Sequence, residues 1–325
     1  MQRVKEKLKI LIIRYSSIGD IILTTPIIRC LKQQLNTEID FLTKENYKSL
    51  LTSNPYINKI YALNKNNTEL LDVLKSNKYD RIIDLQNNLR SLKIRSQLNV
   101  KSNVYLKKNF KRFLLINFGV DLLKNHVVDR YFESLKNLNV QNDKKGIDYF
   151  ISGSPEVNFD TNQDYIVWCI GGTHENKKLS STQISEVISH IHLPVILLGG
   201  SEDKKLSQQI LKETCSENTF DFCGNTSFEE SAYLIKESKL VLTNDTGMMH
   251  IASAFNSPIL SFWGCTKPSL GFSPYLTKKE SLTVISPISK KPCSKHGKYC
   301  KQSSEGCIKK ISSKMIYDAI KKLLE

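Results

Sequence analysis

Short apolar runs alternate along this chain with stretches in which apolar residues recur at helical spacing. Leu8 to Ile13 reads as a buried strand, and from Ile21 to Leu35 the apolar side chains at 27, 28, 31 and 35 line one face of a helix. Pro26 marks a kink or a late start in that helix. Further strands are expected at Ile39 to Leu42, Lys59 to Leu63, Arg81 to Leu85 and Asn103 to Leu106, separated by helical stretches such as Thr68 to Tyr79. Between Asn139 and Asp164 the periodicity lapses into Asn, Asp, Lys, Gly, Ser and Pro, the composition of a linker. A second series then places strands at Tyr165 to Ile170, Val195 to Leu198, Thr219 to Phe222, Leu240 to Thr243, Ile259 to Phe262 and Leu282 to Ile285, with a last helix from Ser312 to Leu324. Strand and helix alternating twice over predicts an α/β chain with two parallel sheets, divided into domains at 1–150 and 151–325.

Bulk composition narrows the class. A chain of 325 residues with 40% hydrophobic content suits two folded domains. No apolar run approaches the length of a membrane span, and Leu8–Ile13 is too short and too soon followed by Arg14 for a signal peptide, so a cytoplasmic location is expected. Eight scattered cysteines fit a reducing compartment. The net charge of +15 calls for an anionic partner or a Lys-rich solvated surface; Lys far outnumbers Arg and no Arg-aromatic clusters occur. That lowers the nucleic-acid reading and favours an anionic membrane face or a phosphorylated acceptor.

The densest chemistry lies between Leu242 and Pro268. A strand ends at Asn244-Asp245-Thr246-Gly247, a helical pattern follows, and Ile259 to Trp263 forms the next strand. The loop therefore sits at the carboxyl end of a parallel strand, where a helix amino end welcomes an anion. Gly247 permits close backbone approach, Asp245 and Thr246 bond hydroxyls, and His250 lies on the first helical turn. A plain helix cap with a half-buried histidine is the alternative. Two similar loops follow other strands. Arg14 to Asp20, with Ser16 and Gly19, ends the first, and either contacts ligand or caps a helix through Asp20. Ile170-Gly171-Gly172-Thr173 with Lys177 follows the first strand of the second series, where glycine amides and a lysine can meet a pyrophosphate.

These segments carry a family likeness. The D-T-G-x-x-H-x-A run from Asp245 to Ala252, the P-x-x-x-x-x-G-x-T-x-P run from Pro258 to Pro268 and the R-x-S-x-G-D loop from Arg14 to Asp20 resemble glycosyltransferase family 9, the ADP-heptose:lipopolysaccharide heptosyltransferases. The resemblance implies a GT-B fold, two Rossmann-like domains facing across a cleft, whose last helix crosses back onto the first domain. It also implies an inverting transferase that needs no catalytic metal and uses an ADP-sugar and an anionic lipid-linked acceptor at the inner membrane face; a monomer is assumed, since the sequence does not give the oligomeric state.

Residue by residue, the resemblance makes Asp20 the general base and Lys177 the group that neutralises the departing diphosphate. Gly19, Gly171, Gly172, Thr173, Asp245, Thr246, Gly247 and His250 fall to the donor, as does Asp203, with Glu202 as runner-up, for the ribose. Arg14, Ser16 and, in the stretch from Asp84 to Ser91, Asn88, Arg90 and Ser91 fall to the acceptor; Lys108 and Arg112, in a basic loop and helix, can meet its phosphates. Family members usually show K-x-W-P where this chain has Lys177-Lys178-Leu179-Ser180, so Lys178 competes for the role. The competing functions are a nucleotide-sugar epimerase of the same fold and a basic nucleic-acid or membrane-surface binding protein.

Cys293, His296, Cys300 and Cys307 stand in a Lys-rich loop with two, three and six residues between successive members. A structural Cys3His zinc site is expected there, or cysteines without metal. No D-x-D motif occurs in the chain, so the leaving charge falls to Lys177 and helix amino ends.

Overall fold

The computed structural model describes residues 7–63, 68–277, 279–288 and 290–325. Two compact units emerge: residues 1–107 with 127–150, and residues 108–126 with 151–325.

The first unit runs β1 (Leu8–Ile13), α1 (Ile18–Ile22), α2 (Thr25–Gln34), β2 (Thr37–Lys44), β3 (Lys59–Leu63), α3 (Thr68–Ser76), β4 (Arg81–Asp84), α4 (Leu89–Leu98) and β5 (Ser102–Val104). The chain then gives α5 (Asn109–Phe118) to the second unit and returns with α6 (Val127–Phe132). Its sheet is parallel with the order β3-β2-β1-β4-β5. From Ile10 to Ile13 β1 is fully buried, as a central parallel strand must be when helices cover both faces; this is why it reads as an unbroken apolar run.

The second unit continues with β6 (Ile166–Cys169), α7 (Ser181–Ile188), β7 (Val195–Leu198), α8 (Lys204–Thr214), β8 (Thr219–Asp221), α9 (Phe228–Glu237), β9 (Leu240–Asn244), α10 (Gly247–Ala254), β10 (Ile259–Trp263), β11 (Ser281–Ile285) and α11 (Ser313–Leu324). Its parallel sheet has the order β11-β10-β9-β6-β7-β8. Both sheets follow the doubly wound pattern in which the first strand is central and the fourth pairs with its other edge. Several helices start on side-chain caps that the sequence supplies in pairs: Ser180 with Gln183, and Ser227 with Glu230.

One expectation changes. The stretch after Asn139 is not free linker as far as residue 150, because Val140, Ile147 and Tyr149 are buried. Buried Arg29 on α2 holds it, pairing with Asp143 at 2.8 Å and with Asp148, and donating to the Gly146 carbonyl at 2.9 Å. The C-terminal helix packs on α7 and β11, with Ile316 and Ile320 in the core of the second unit.

Replacing Arg29 strands two carboxylates. Arg29→Met is expected to cost roughly 3–5 kcal/mol, read as a lowered urea midpoint; an unchanged midpoint would show that the 143–148 segment is held by its apolar side chains alone.

Candidate active site

The two places where strand order reverses position the chemistry. β1 pairs with β2 on one edge and β4 on the other, and β6 with β7 and β9. Loops leaving such neighbouring strands diverge and open a crevice at their carboxyl ends.

In the first unit, the loops after β1 and β4 are stitched together. The Arg14 guanidinium donates to the Leu85 carbonyl at 2.6 Å, and the Tyr15 amide donates to Gln86 Oε1 at 2.9 Å. Arg14 also donates to the Ser16 carbonyl at 2.9 Å and forms an ion pair with Asp20 at 2.7 Å. Arg14 is thus buried and spent on positioning Asp20 and the two loops, instead of standing open to an acceptor. The Ser16–Ser17 peptide is cis. Asp20 lies in the first turn of α1 and accepts from the Ser17 amide at 3.3 Å and hydroxyl at 3.1 Å. Burial alone would raise its carboxyl, but the Arg14 charge and the Ser17 bonds outweigh it and hold Asp20 below the ordinary carboxylate range. The same pairing keeps Arg14 above its ordinary value despite burial.

Beside these loops lies a pocket of about 320 Å³ lined by Tyr15, Ser16, Lys44, Gln86, Asn88, Leu89 and Arg90. Three residues expected at an acceptor, Ser16, Asn88 and Arg90, meet there with Gln86 of the same Asp84–Ser91 stretch; Lys44, the last residue of β2, joins them without any signal in the sequence. Ser91 does not join. It is fully buried and closes the capping box of α4 with Asn88, whose side chain accepts from the Ser91 amide at 2.9 Å. Lys108 and Arg112 fall in the second unit, where Lys108 is the residue before α5 and Arg112 is buried on its inner face.

In the second unit, Asn244 at the end of β9 donates through Nδ2 to the carbonyls of Ile170 and Gly171, at 3.0 and 3.1 Å, tying the glycine loop after β6 to the Asp245 loop. Lys177 then reaches Asp245 Oδ2 at 2.7 Å, and the Thr266 hydroxyl donates to the same oxygen at 2.7 Å. Gly171, Gly172, Asp245, Thr246 and Gly247 are all partly exposed around this pair, and Thr173 is exposed. Thr246 is the N-cap residue of α10. Gly19 and His250 are buried, on α1 and α10.

The adjacent lysine does a different job. Lys178 is buried and pairs with Asp203 and Glu175, both at 2.8 Å. Burial lowers its ammonium, but the two carboxylates prevail and it stays above its ordinary value. Asp203 is buried in turn, accepting from the Gly200 amide at 3.0 Å, and a Cβ on Gly171 would fall 2.5 Å from its Oδ2. Asp203 is therefore consumed in supporting the glycine loop; Glu202 beside it is exposed.

The metal expectation needs one correction. The sulfurs of Cys265, Cys293, Cys300 and Cys307 lie within 4.8 Å of one another and form a group able to hold an ion, whereas His296 is exposed and outside it. The fourth member of this group is Cys265, two residues past β10 and far from the others in sequence.

Residues 68–303 match the model of glycosyltransferase family 9 (heptosyltransferase). The chain belongs to this family and is a glycosyltransferase. The matched span contains Lys177 and Asp245; the Arg14–Asp20 loop precedes it. Lipopolysaccharide heptosyltransferase 1 of Campylobacter coli is 24% identical over 290 residues, which are 80% of this chain and 84% of that one. The structure of a family 9 glycosyl transferase from Veillonella parvula superposes with a TM-score of 0.81 at 18% identity, covering 98% of this chain and 97% of that one. E. coli ADP-heptose lps heptosyltransferase II follows at 0.75 and 19%, covering 98% of each. These likenesses establish the fold as GT-B, with two Rossmann-like domains.

The neighbouring lysines of this glycosyltransferase should separate experimentally. Lys178→Ala leaves Asp203 buried without its cation and is expected to cost roughly 3–5 kcal/mol of stability. Lys177→Ala is expected to spare the melting temperature and weaken ADP binding. Calorimetry with ADP beside thermal melts of both variants decides it, and matching behaviour of the two would refute the division of labour.

Proposed function

We propose that this enzyme transfers heptose from ADP-heptose to the inner core of lipopolysaccharide, with inversion and without a catalytic metal, at the cytoplasmic face of the membrane. The observation that carries the reading is the Lys177–Asp245 pair at the carboxyl ends of β6 and β9, inside the span matched by the family. The donor is inferred from E. coli heptosyltransferase II, whose name specifies ADP-heptose.

In this reading the diphosphate displaces Asp245 from Lys177, whose ammonium then offsets charge as ADP departs. Asp245, released, accepts from sugar hydroxyls, and the glycine amides after β6 bond the phosphates. Glu202, not the buried Asp203, takes the ribose hydroxyls. Asp20 removes the proton of the attacking acceptor hydroxyl. Its depressed carboxyl is a weaker base than an ordinary aspartate, yet it is ionised through the neutral and mildly acid range, so no substrate has to wait for it to deprotonate. Ser16, Asn88, Arg90 and Lys44 present polar and cationic groups to an anionic acceptor.

The membrane partner fits α5. No helix among the described residues is long and apolar enough to span a bilayer. Phe110, Phe113 and Phe118 are instead exposed at 72%, 53% and 67% along the outer side of α5, with Lys111 exposed among them, while Leu115 and Ile116 face inward. Aromatic rings among lysines suit the interface of an anionic bilayer.

The deciding assay supplies ADP-heptose and a truncated lipopolysaccharide core and follows ADP release and the mass of the glycan. Transfer is expected without added divalent cation, unchanged by Mg²⁺ or Mn²⁺, and reduced roughly 10²- to 10⁴-fold in Asp20→Asn at unaltered ADP affinity. Donor consumption without acceptor, giving an isomerised nucleotide sugar, would make it an epimerase. Separately, replacing Phe110, Phe113 and Phe118 with Ser is expected to abolish co-sedimentation with phosphatidylglycerol vesicles while leaving transfer to a soluble acceptor intact; equal sedimentation of variant and wild type removes α5 from the membrane contact.

A further inference from the structure

Four sulfurs converge beside the donor corner from separate parts of the second unit. Cys265 follows β10, Cys293 and Cys300 lie in the long loop after β11, and Cys307 opens the short turn that leads to α11. Cys293 Sγ is 3.9 Å from Cys300 and 3.6 Å from Cys307, and Cys300 and Cys307 are 3.0 Å apart. Thiolates about 2.3 Å from a central ion in a tetrahedron stand about 3.8 Å from one another, so a small adjustment of this group accepts an ion. None of the eight cysteines, all among the described residues, is joined in a disulfide, so no such bond competes for these sulfurs. The backbone is already arranged around them: the Cys293 amide donates to the Cys265 carbonyl at 2.8 Å and the Ser286 hydroxyl donates to the Cys307 carbonyl at 2.6 Å.

A second observation is independent of the sulfurs. Lys267 is only 4% exposed, and its Nζ has no hydrogen-bond partner. A dication held by four thiolates carries net negative charge and would stand beside this buried side chain, two residues from Cys265.

What the cluster holds in place is the donor corner. Thr266, next to Cys265, donates to Asp245. Gly297, between Cys293 and Cys300, lies against the stem of Lys177: a Cβ there would fall 2.5 Å from Lys177 Cγ and 3.7 Å from Thr266 Cγ2. Asn176 Nδ2 donates to the Lys298 carbonyl at 3.2 Å. The loop that the cysteines fold is thus the wall on which Lys177 stands, and its enclosed side is made of sulfur.

We propose that Cys265, Cys293, Cys300 and Cys307 bind one thiophilic dication, zinc or iron, and that this ion fixes the wall behind Lys177 and so sets the affinity for the nucleotide donor. The second half rests on the reading of the Lys177–Asp245 corner as the donor site. The ion is structural; it touches no substrate and takes no part in transfer.

The test uses the full chain purified under reducing conditions. Elemental analysis is expected to find about one zinc or iron per chain, with iron betrayed by a visible charge-transfer band on oxidation and zinc colourless. Cys293→Ser should lose the metal, while Cys215→Ser, at an exposed cysteine outside the cluster, should keep it. Should Cys293→Ser fail to fold, stripping the wild type with a strong chelator and restoring zinc replaces it. ADP affinity, by calorimetry, is expected to fall roughly tenfold or more on stripping and to recover on reloading. Substoichiometric metal with four freely alkylated thiols overturns the site, as does a native Cys300–Cys307 disulfide found by mass spectrometry. Loss of metal with unchanged ADP affinity overturns the coupling. If the metal-loaded wild type binds no ADP at all, the donor reading and the coupling fall together, and the metal count still decides the site.

Discussion

Everything in this molecule that can do chemistry depends on the pairing of strands that are not consecutive in the chain. β1 with β4, and β6 with β9, are joined by crossovers that bury both faces of the sheet and leave only the strand ends free. At each junction a side chain fastens the two departing loops: Arg14 to the Leu85 carbonyl, Asn244 to the carbonyls of Ile170 and Gly171. Together with the Tyr15 amide on Gln86 and the Thr266 hydroxyl on Asp245, these ties help to position Asp20 and the Lys177–Asp245 pair.

The candidate sites are neutralised from within. Arg14 meets Asp20, Lys177 meets Asp245 and Lys178 meets Asp203, although the chain carries a net charge of +15. The enclosed Lys178–Asp203 pair differs in kind from exposed ones such as Lys236–Glu237, which contribute ~0–1 kcal/mol. Under the proposed reading, an anionic ligand at the Lys177 corner would exchange one anion for another, and its affinity would reflect a difference between two pairings. The excess positive charge lies elsewhere, on solvated lysines.

The alternation of apolar runs made both sheets legible, because central parallel strands are buried on both faces and admit few polar residues. The loops after β1, β4, β6 and β9 were legible for the same reason, since a strand end in such a sheet is where ligands go. Burial within those loops was not legible. Lys177 and Lys178 are adjacent and chemically identical, as carboxylates Asp203 and Glu202 nearly are; only the packing of the glycine loop decides which is enclosed. Cys265 escaped because its partners are brought to it by β10 and the loop after β11, and its local context is that of an ordinary turn. The fastening of residues 143–148 depends on Arg29, more than a hundred positions earlier. Nothing in composition marks α5 as belonging to the second unit.

Asp20 occupies two posts at once. It is the third residue of α1, where its carboxylate accepts from the Ser17 amide and hydroxyl, and it is the partner of the Arg14 guanidinium that stitches the loops. A proton placed on that carboxylate weakens the start of a helix and a loop junction together. The fold itself therefore presses the proton back out. Were Asp20 the base proposed above, the force restoring its carboxylate after each transfer would come from the architecture that placed it there.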